Sequence, residues 1–136
     1  MARAPLKVEV VAADRQLWTG DVVNLIARTT EGDMGILPGH EPIMAALVPC
    51  VVEIVTADGR GETLAIDGGF ISVAEGKVWI LSNEALMGGE VTLDAARMEQ
   101  AELQQAHERG DLTDAELRRL HILNAQIRAG EKVQAA

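Results

Sequence analysis

The chain has no tyrosine, one phenylalanine and two tryptophans in 136 residues. So few rings cannot build a base-stacking platform for single-stranded nucleic acid. Cys50 is the only cysteine, which excludes an internal disulfide and a cysteine-based metal cluster. Its expected role is that of a small apolar residue at the start of a strand, in a reducing and hence cytoplasmic compartment. Basic charge is scarce as well: 12 Lys and Arg face 21 Asp and Glu, a net charge of −9. With no basic stripe, nucleic acid and anionic lipid are excluded as direct ligands. The longest strongly apolar run, Ile43 to Val48, is far short of the roughly 20 residues of a spanning helix. Direct membrane insertion is therefore not expected, and residues 1–16 lack the apolar stretch of a secretion signal.

Catalytic chemistry is missing too. His40, His107 and His121 are widely separated, and solvated histidines explain them better than a metal site or a general base. Ser72 and Ser82 have no histidine nearby in sequence. Asp67-Gly68-Gly69 lacks the lysine of a phosphate loop and does not open a helix, so it reads as a turn. No metal ligands and no catalytic residues are assigned. Trp18 and Trp79 read as core or sheet-packing residues.

What is present divides near residue 90. Before it, short β-rich segments alternate with turns. Leu6, Val8 and Val10 alternate with Lys7 and Glu9, the period of a half-buried strand. Segments 21–28, 42–48, 51–56, 63–67, 70–74 and 77–82 follow, punctuated by 57–61, Asp67-Gly68-Gly69 and Glu75-Gly76. This spacing predicts a sandwich or flattened barrel, and no βαβ unit fits into it.

After Gly88-Gly89 the period becomes helical. Thr92 is the expected N-cap of a helix to Arg109, with Gly110 ending it in the left-handed conformation. Asp94 and Arg97, three residues apart, are expected to pair along that helix. The second helix opens with a capping box, Thr113 with Glu116, and a staple of Leu112 on Leu117. Leu117, Leu120, Leu123 and Ile127 form its apolar stripe, and Gly130 is read as its end. Arg118 and Arg119 project off that stripe and are expected to be free. The fold class is thus α+β: an all-β sandwich over 1–88, then an antiparallel two-helix hairpin over 89–136. So thin a hairpin should be exchangeable in its contacts.

The run Glu31-Gly-Asp-Met-Gly-Ile-Leu-Pro-Gly-His-Glu-Pro42 packs three glycines and two prolines around a short apolar core. It reads as a rigid surface loop for docking, with Asp33 and Met34 at the tip and Gly35 in a conformation only glycine adopts.

These residues carry a resemblance. Val8-Glu9-Val10-Val11, Trp18-Thr19-Gly20, Thr30 to Pro42 and Ile66-Asp67-Gly68-Gly69-Phe70 resemble the epsilon subunit of bacterial F-type ATP synthases. Leu93-Asp94-Ala95-Ala96-Arg97 resembles the opening of that family's helical domain, so the likeness covers the chain in order. It implies a non-catalytic rotor subunit of the central stalk, at the cytoplasmic side of the cell membrane and peripheral to it. The implied partners are the gamma subunit, the c-ring and, when the hairpin extends, the catalytic alpha/beta head, where the hairpin opposes ATP hydrolysis. Glu31, Asp33, Met34, Gly35 and His40 would face the c-ring, and Arg118, Arg119 and Arg128 would touch the head. No cofactor is implied as a requirement. The resemblance implies ATP at most as a weak regulatory ligand of Leu93, Asp94 and Arg97, and Met98 stands where the family's motif has alanine. The alternative is a free-standing ATP-sensing sandwich with a helical tail, which would need a deep pocket.

Overall fold

The computed structural model describes residues 3–135. Nine strands come first: β1 Leu6–Val11, β2 Gln16–Thr29, β3 Gly32–Ile36, β4 Ile43–Leu47, β5 Cys50–Thr56, β6 Gly61–Ile66, β7 Gly69–Ala74, β8 Lys77–Leu81 and β9 Ala85–Met87. A 3-10 turn at Gly88–Glu90 leads to helices α1 Leu93–Glu108 and α2 Asp114–Ala135. The expected order of sandwich and hairpin is what forms.

The strands make two layers that share the 14-residue β2. Its first half pairs with β1, and β1 continues through β8 and β7 to β4. Its second half pairs with β3 on one side and with β5 on the other, and β5 continues through β6 to β9. A register break between Val22 and Asn24 lets one strand serve both layers. The core lies between them. Alternation places Leu6, Val8 and Val10 inward with Leu25, Val52, Ile54, Leu64, Ile71 and Ile80, each at most 2% exposed. Cys50 belongs to this core, as the sequence suggests. Its burial pushes the thiol pKa up, against the opposing pull of Arg128 and Arg28.

Asp67-Gly68-Gly69 was expected as a hairpin turn, but β6 and β7 do not pair with each other: the segment carries the chain from one layer to the other, with Gly68 and Gly69 at φ 112° and 118°. A Cβ on Gly69 would lie 1.9 Å from the carbonyl oxygen of Leu81, so no other residue fits there.

The helices fold back onto the sheet. α2 lies across the outer surface of β5 and β6 and also packs against the 3-10 turn, while α1 packs on α2. Ala65 is buried although it faces out of the sandwich and lies outside the core cluster, because α2 covers it. The capping box forms: Thr113 N–H donates to Glu116 Oε1 at 3.1 Å, and Glu116 N–H to Thr113 Oγ1 at 3.2 Å. Gly110 has φ 75° after α1, as expected. Thr92 occupies the N-cap of α1 but makes no capping bond with its side chain.

Gly130 does not end α2; the helix runs through it to Ala135. The reason is packing. A Cβ on Gly130 would sit 2.9 Å from Leu93 Cδ2 and 3.3 Å from Val91 Cβ, so the absent side chain lets the two helices approach. Gly88 does the same for the 3-10 turn against α2: a Cβ there would lie 2.6 Å from Val133 Cγ2 and 2.8 Å from the Ala129 carbonyl oxygen.

Candidate functional site

The sandwich has two outer faces, and the chain covers only one. Over β5 and β6 lies α2. The opposite face, on β4, β7, β8 and β1, carries large apolar side chains in register. Met44 stands opposite Ser72, which stands opposite Trp79; Ala46 stands opposite Phe70, which stands opposite Leu81. Met44 is 74% exposed, Phe70 58%, Leu81 52% and Trp79 39%. Strand β8 explains how: Val78 and Ile80 face the core while Trp79 and Leu81 face solvent, so both of its faces are apolar. Exposed large apolar side chains grouped in this way on a sheet, with only Ser72 between Met44 and Trp79, are a place for another protein. Trp79 thus belongs to that face and not to the core, whereas Trp18 does pack against the core.

The glycine-rich run is only partly a loop. Gly32–Ile36 is β3, held by β2 in the register Thr29 with Gly32 to Leu25 with Ile36. Thr30 and Glu31 form the turn, and Gly32, the first residue of β3, has φ 121°. Thr29 Oγ1 stitches it by donating to the Gly32 carbonyl at 2.9 Å and accepting from Glu31 N–H at 3.0 Å. Asp33 Oδ1 accepts from Arg28 Nε at 3.0 Å. Met34 is not at an exposed tip: it sits opposite Ala27, half-buried against the core. Nor is Gly35 held in a glycine-only conformation; its φ is ordinary, and nothing lies within 4 Å of where a Cβ would be. The positive-φ glycines of the run are Gly32 and Gly39. His40 caps a turn, its N–H donating to the Leu37 carbonyl at 3.0 Å.

The hairpin arginines are occupied. Arg118 Nη2 donates to the carbonyl oxygen of Asp67 at 2.8 Å and lies 3.9 Å from Asp67 Oδ2. Asp67 itself is buried, with Oδ1 accepting from Ser82 Oγ at 2.6 Å. Arg119 donates through Nε and Nη2 to Glu99 of α1 at 2.7 and 3.0 Å and reaches Glu84 at 3.6 Å. The hydrogen bond from Arg119 holds the Glu99 carboxyl below its ordinary pKa. Neither arginine is free, because each finds an acceptor when α2 lies on the sandwich. Lys132 pairs with Glu53 across the same junction. Among the described residues Arg128 makes no ion pair, and it lines a cleft with Arg28.

Leu93, Asp94 and Arg97 do not come together as an ion pair and a pocket. Leu93 is 8% exposed and packs on Gly130. Arg97 pairs with Glu131 at 3.7 Å instead of Asp94, because folding the hairpin brings an acid from α2 within its reach. Among the described residues no three His, Cys, Asp or Glu side chains are grouped to hold a metal. Among the described residues no helix is long and apolar enough to cross a membrane.

A sandwich bare on one face and tied by ion pairs to its own hairpin on the other defines a β-sandwich docking protein with a helical appendage. Residues 5–88 match the family described as ATP synthase, Delta/Epsilon chain, beta-sandwich domain. The ATP synthase epsilon chain of Cutibacterium acnes is 45% identical over 138 residues, covering 95% of this chain and 94% of that one. The epsilon chain of Streptomyces avermitilis is 46% identical over 110 residues, covering 81% and 86%. The chain belongs to the ATP synthase epsilon chain family. Solved structures share the fold. A chain of the Euglena gracilis mitochondrial ATP synthase OSCP/F1/c-ring assembly superposes with a TM-score of 0.72 at 24% identity, covering 99% of this chain and 82% of that one. A chain of the Tetrahymena thermophila mitochondrial ATP synthase central stalk and c-ring gives 0.58 at 16% identity, covering 98% of each.

Proposed function

We propose that the chain is the central-stalk rotor subunit of a proton-translocating ATP synthase, joining gamma to the c-ring. It is a non-catalytic subunit of that complex, as its family membership implies. The observation that carries the reading is the bare apolar face of Met44, Phe70, Trp79 and Leu81. Gamma is its occupant in this reading. Covering Phe70, Met44 and Leu81 would contribute about 1–2 kcal/mol each, after allowing for what is already shielded. The turn of β2 and β3, with Glu31 and the Arg28–Asp33 pair at its mouth, is the surface for the c-ring. The site would be peripheral to the cell membrane, on the cytoplasmic side.

The hairpin is the brake on ATP hydrolysis in this reading. Arg118 and Arg119 are matched by Asp67, Glu84 and Glu99 while α2 lies on the sandwich. Extension would release both toward acidic groups of the alpha/beta head, so the two sets of partners exclude each other. A regulatory ATP at Leu93, Asp94 and Arg97 would have to displace Glu131 from Arg97 and is read as weak. The test is copurification with gamma: stoichiometric capture that fails when Phe70 and Leu81 are made polar supports the reading, and capture indifferent to those changes defeats it.

A further inference from the structure

Apart from Gln126, every residue that α2 buries is apolar or glycine. Gln126 is 8% exposed, three residues after Leu123 and three before Ala129, on the side of the helix that packs inward. The other buried polar side chains are all bonded: Thr29 to Gly32, Thr56 to Arg60, and Ser82 to Asp67. Among the described residues the Gln126 side chain neither donates nor accepts a hydrogen bond. No fully buried side-chain nitrogen or oxygen there lacks a partner, so this amide opens into the cleft that Gln126 lines, about 260 Å³ between the two helices and β9. The charged groups of the cleft are engaged elsewhere. Arg119 directs Nε and Nη2 to Glu99 and Nη1 toward Glu84, and Glu90 accepts from Arg15 and from Met87 N–H. That leaves Thr92, which does not bond to Gln126 either. Docking of α2 thus strips most of the water from an amide and returns no protein partner, which opposes docking. With the hairpin open the same amide is hydrated. An apolar side chain of equal length would instead gain from the burial.

We propose that Gln126 keeps the hold of the hairpin on the sandwich weak, so that docked and open states lie close enough in free energy to exchange. The ion pairs of Arg118 and Lys132 with the sandwich draw α2 down, and Gln126 opposes them from the centre of the same junction. Its consequence in the assembled enzyme rests on the brake reading above; the penalty on docking does not.

Hydrogen exchange of α2 in the full chain is compared for the parent, Gln126→Met and Gln134→Met. Methionine is close to glutamine in length and in helix propensity, and Gln134 is exposed on the same helix. Gln126→Met should slow α2 exchange about fivefold or more, with β1, β7 and β8 unchanged and Gln134→Met behaving as the parent. Exchange of α2 that is unchanged or faster in Gln126→Met overturns the proposal. So does an equal slowing in Gln134→Met. In the assembled enzyme the tighter hairpin of Gln126→Met should leave ATP hydrolysis faster. Slower α2 exchange with unchanged hydrolysis would uphold the role of Gln126 and defeat the brake reading instead.

Discussion

Replacing Gly88 by alanine drives a wedge into the junction between sandwich and hairpin. The backbone at Gly88 is not in the left-handed region, so alanine adopts it without strain. Its methyl group, however, would lie 2.6 Å from Val133 Cγ2, 2.8 Å from the Ala129 carbonyl and 3.2 Å from the Thr63 carbonyl. Val133 is 41% exposed and can rotate away. The two carbonyls belong to α2 and β6, and they yield only if the helix moves off the sheet. Overpacking of this kind costs about 1–3 kcal/mol. The loss of unfolded-state entropy on going from glycine to alanine returns about 0.4–1 kcal/mol. The net penalty is about 1–2 kcal/mol on hairpin docking, or roughly a five- to thirtyfold rise in the open population. Gly89→Ala is the matched control, since its Cβ meets nothing within 4 Å and its entropy gain is the same. Hydrogen exchange should show α2 amides losing protection in Gly88→Ala while β1, β7 and β8 keep theirs, and Gly89→Ala should resemble the parent. Equal α2 protection in the two variants would refute the close-approach reasoning.

Arg118→Ala removes the contact to the Asp67 carbonyl; because the arginine is 58% exposed, the loss is about 1 kcal/mol, seen as weaker α2 protection and, in the assembled enzyme, faster ATP hydrolysis. Gly32→Val strains a residue at φ 121° and should lower stability by about 1–3 kcal/mol in urea unfolding, whereas Gly35→Val, on an open strand position, should cost well under that. The Glu99 carboxyl is held below its ordinary pKa by Arg119, so its contribution is present above the unfolded value and disappears as pH falls through the folded one. Melting temperature should therefore decline in the acid range below the ordinary glutamate pKa, by a small amount given the exposure of both groups, and Arg119→Gln should flatten that decline.

The division into sandwich and hairpin was legible in the sequence because the hydrophobic period changes at Gly88-Gly89 and because the turns carry their own glycines. The capping box was legible for the same reason: Thr113 and Glu116 act locally, and no distant residue decides the outcome. Strand β3 was not. Gly32, Asp33 and Gly35 have poor strand propensity, and the segment is extended because β2 supplies its ladder. At three residues, β9 is too short to show alternation. Gly130 looked like a helix stop because a glycine that permits close packing cannot be told from a C-cap without its neighbour Leu93. The pairings of Arg118, Arg119 and Arg97 were beyond reach for a related reason, since each partner lies on another element. The apolar outer face was missed because β8 is apolar on both sides and so offers no contrast, yet that lack of contrast in Val78-Trp79-Ile80-Leu81 was itself the available signal.

The most direct test of the central claim is the affinity of the full chain for isolated gamma, measured for the parent, Phe70→Ala, Leu81→Ala and an Arg60→Ala control in the β5–β6 turn. If the bare face is where gamma docks, each apolar truncation should weaken binding by about 1–2 kcal/mol, or roughly five- to thirtyfold. The Arg60 variant should bind as the parent does. Unchanged affinity in both apolar variants, with their melting temperatures intact, would contradict the account.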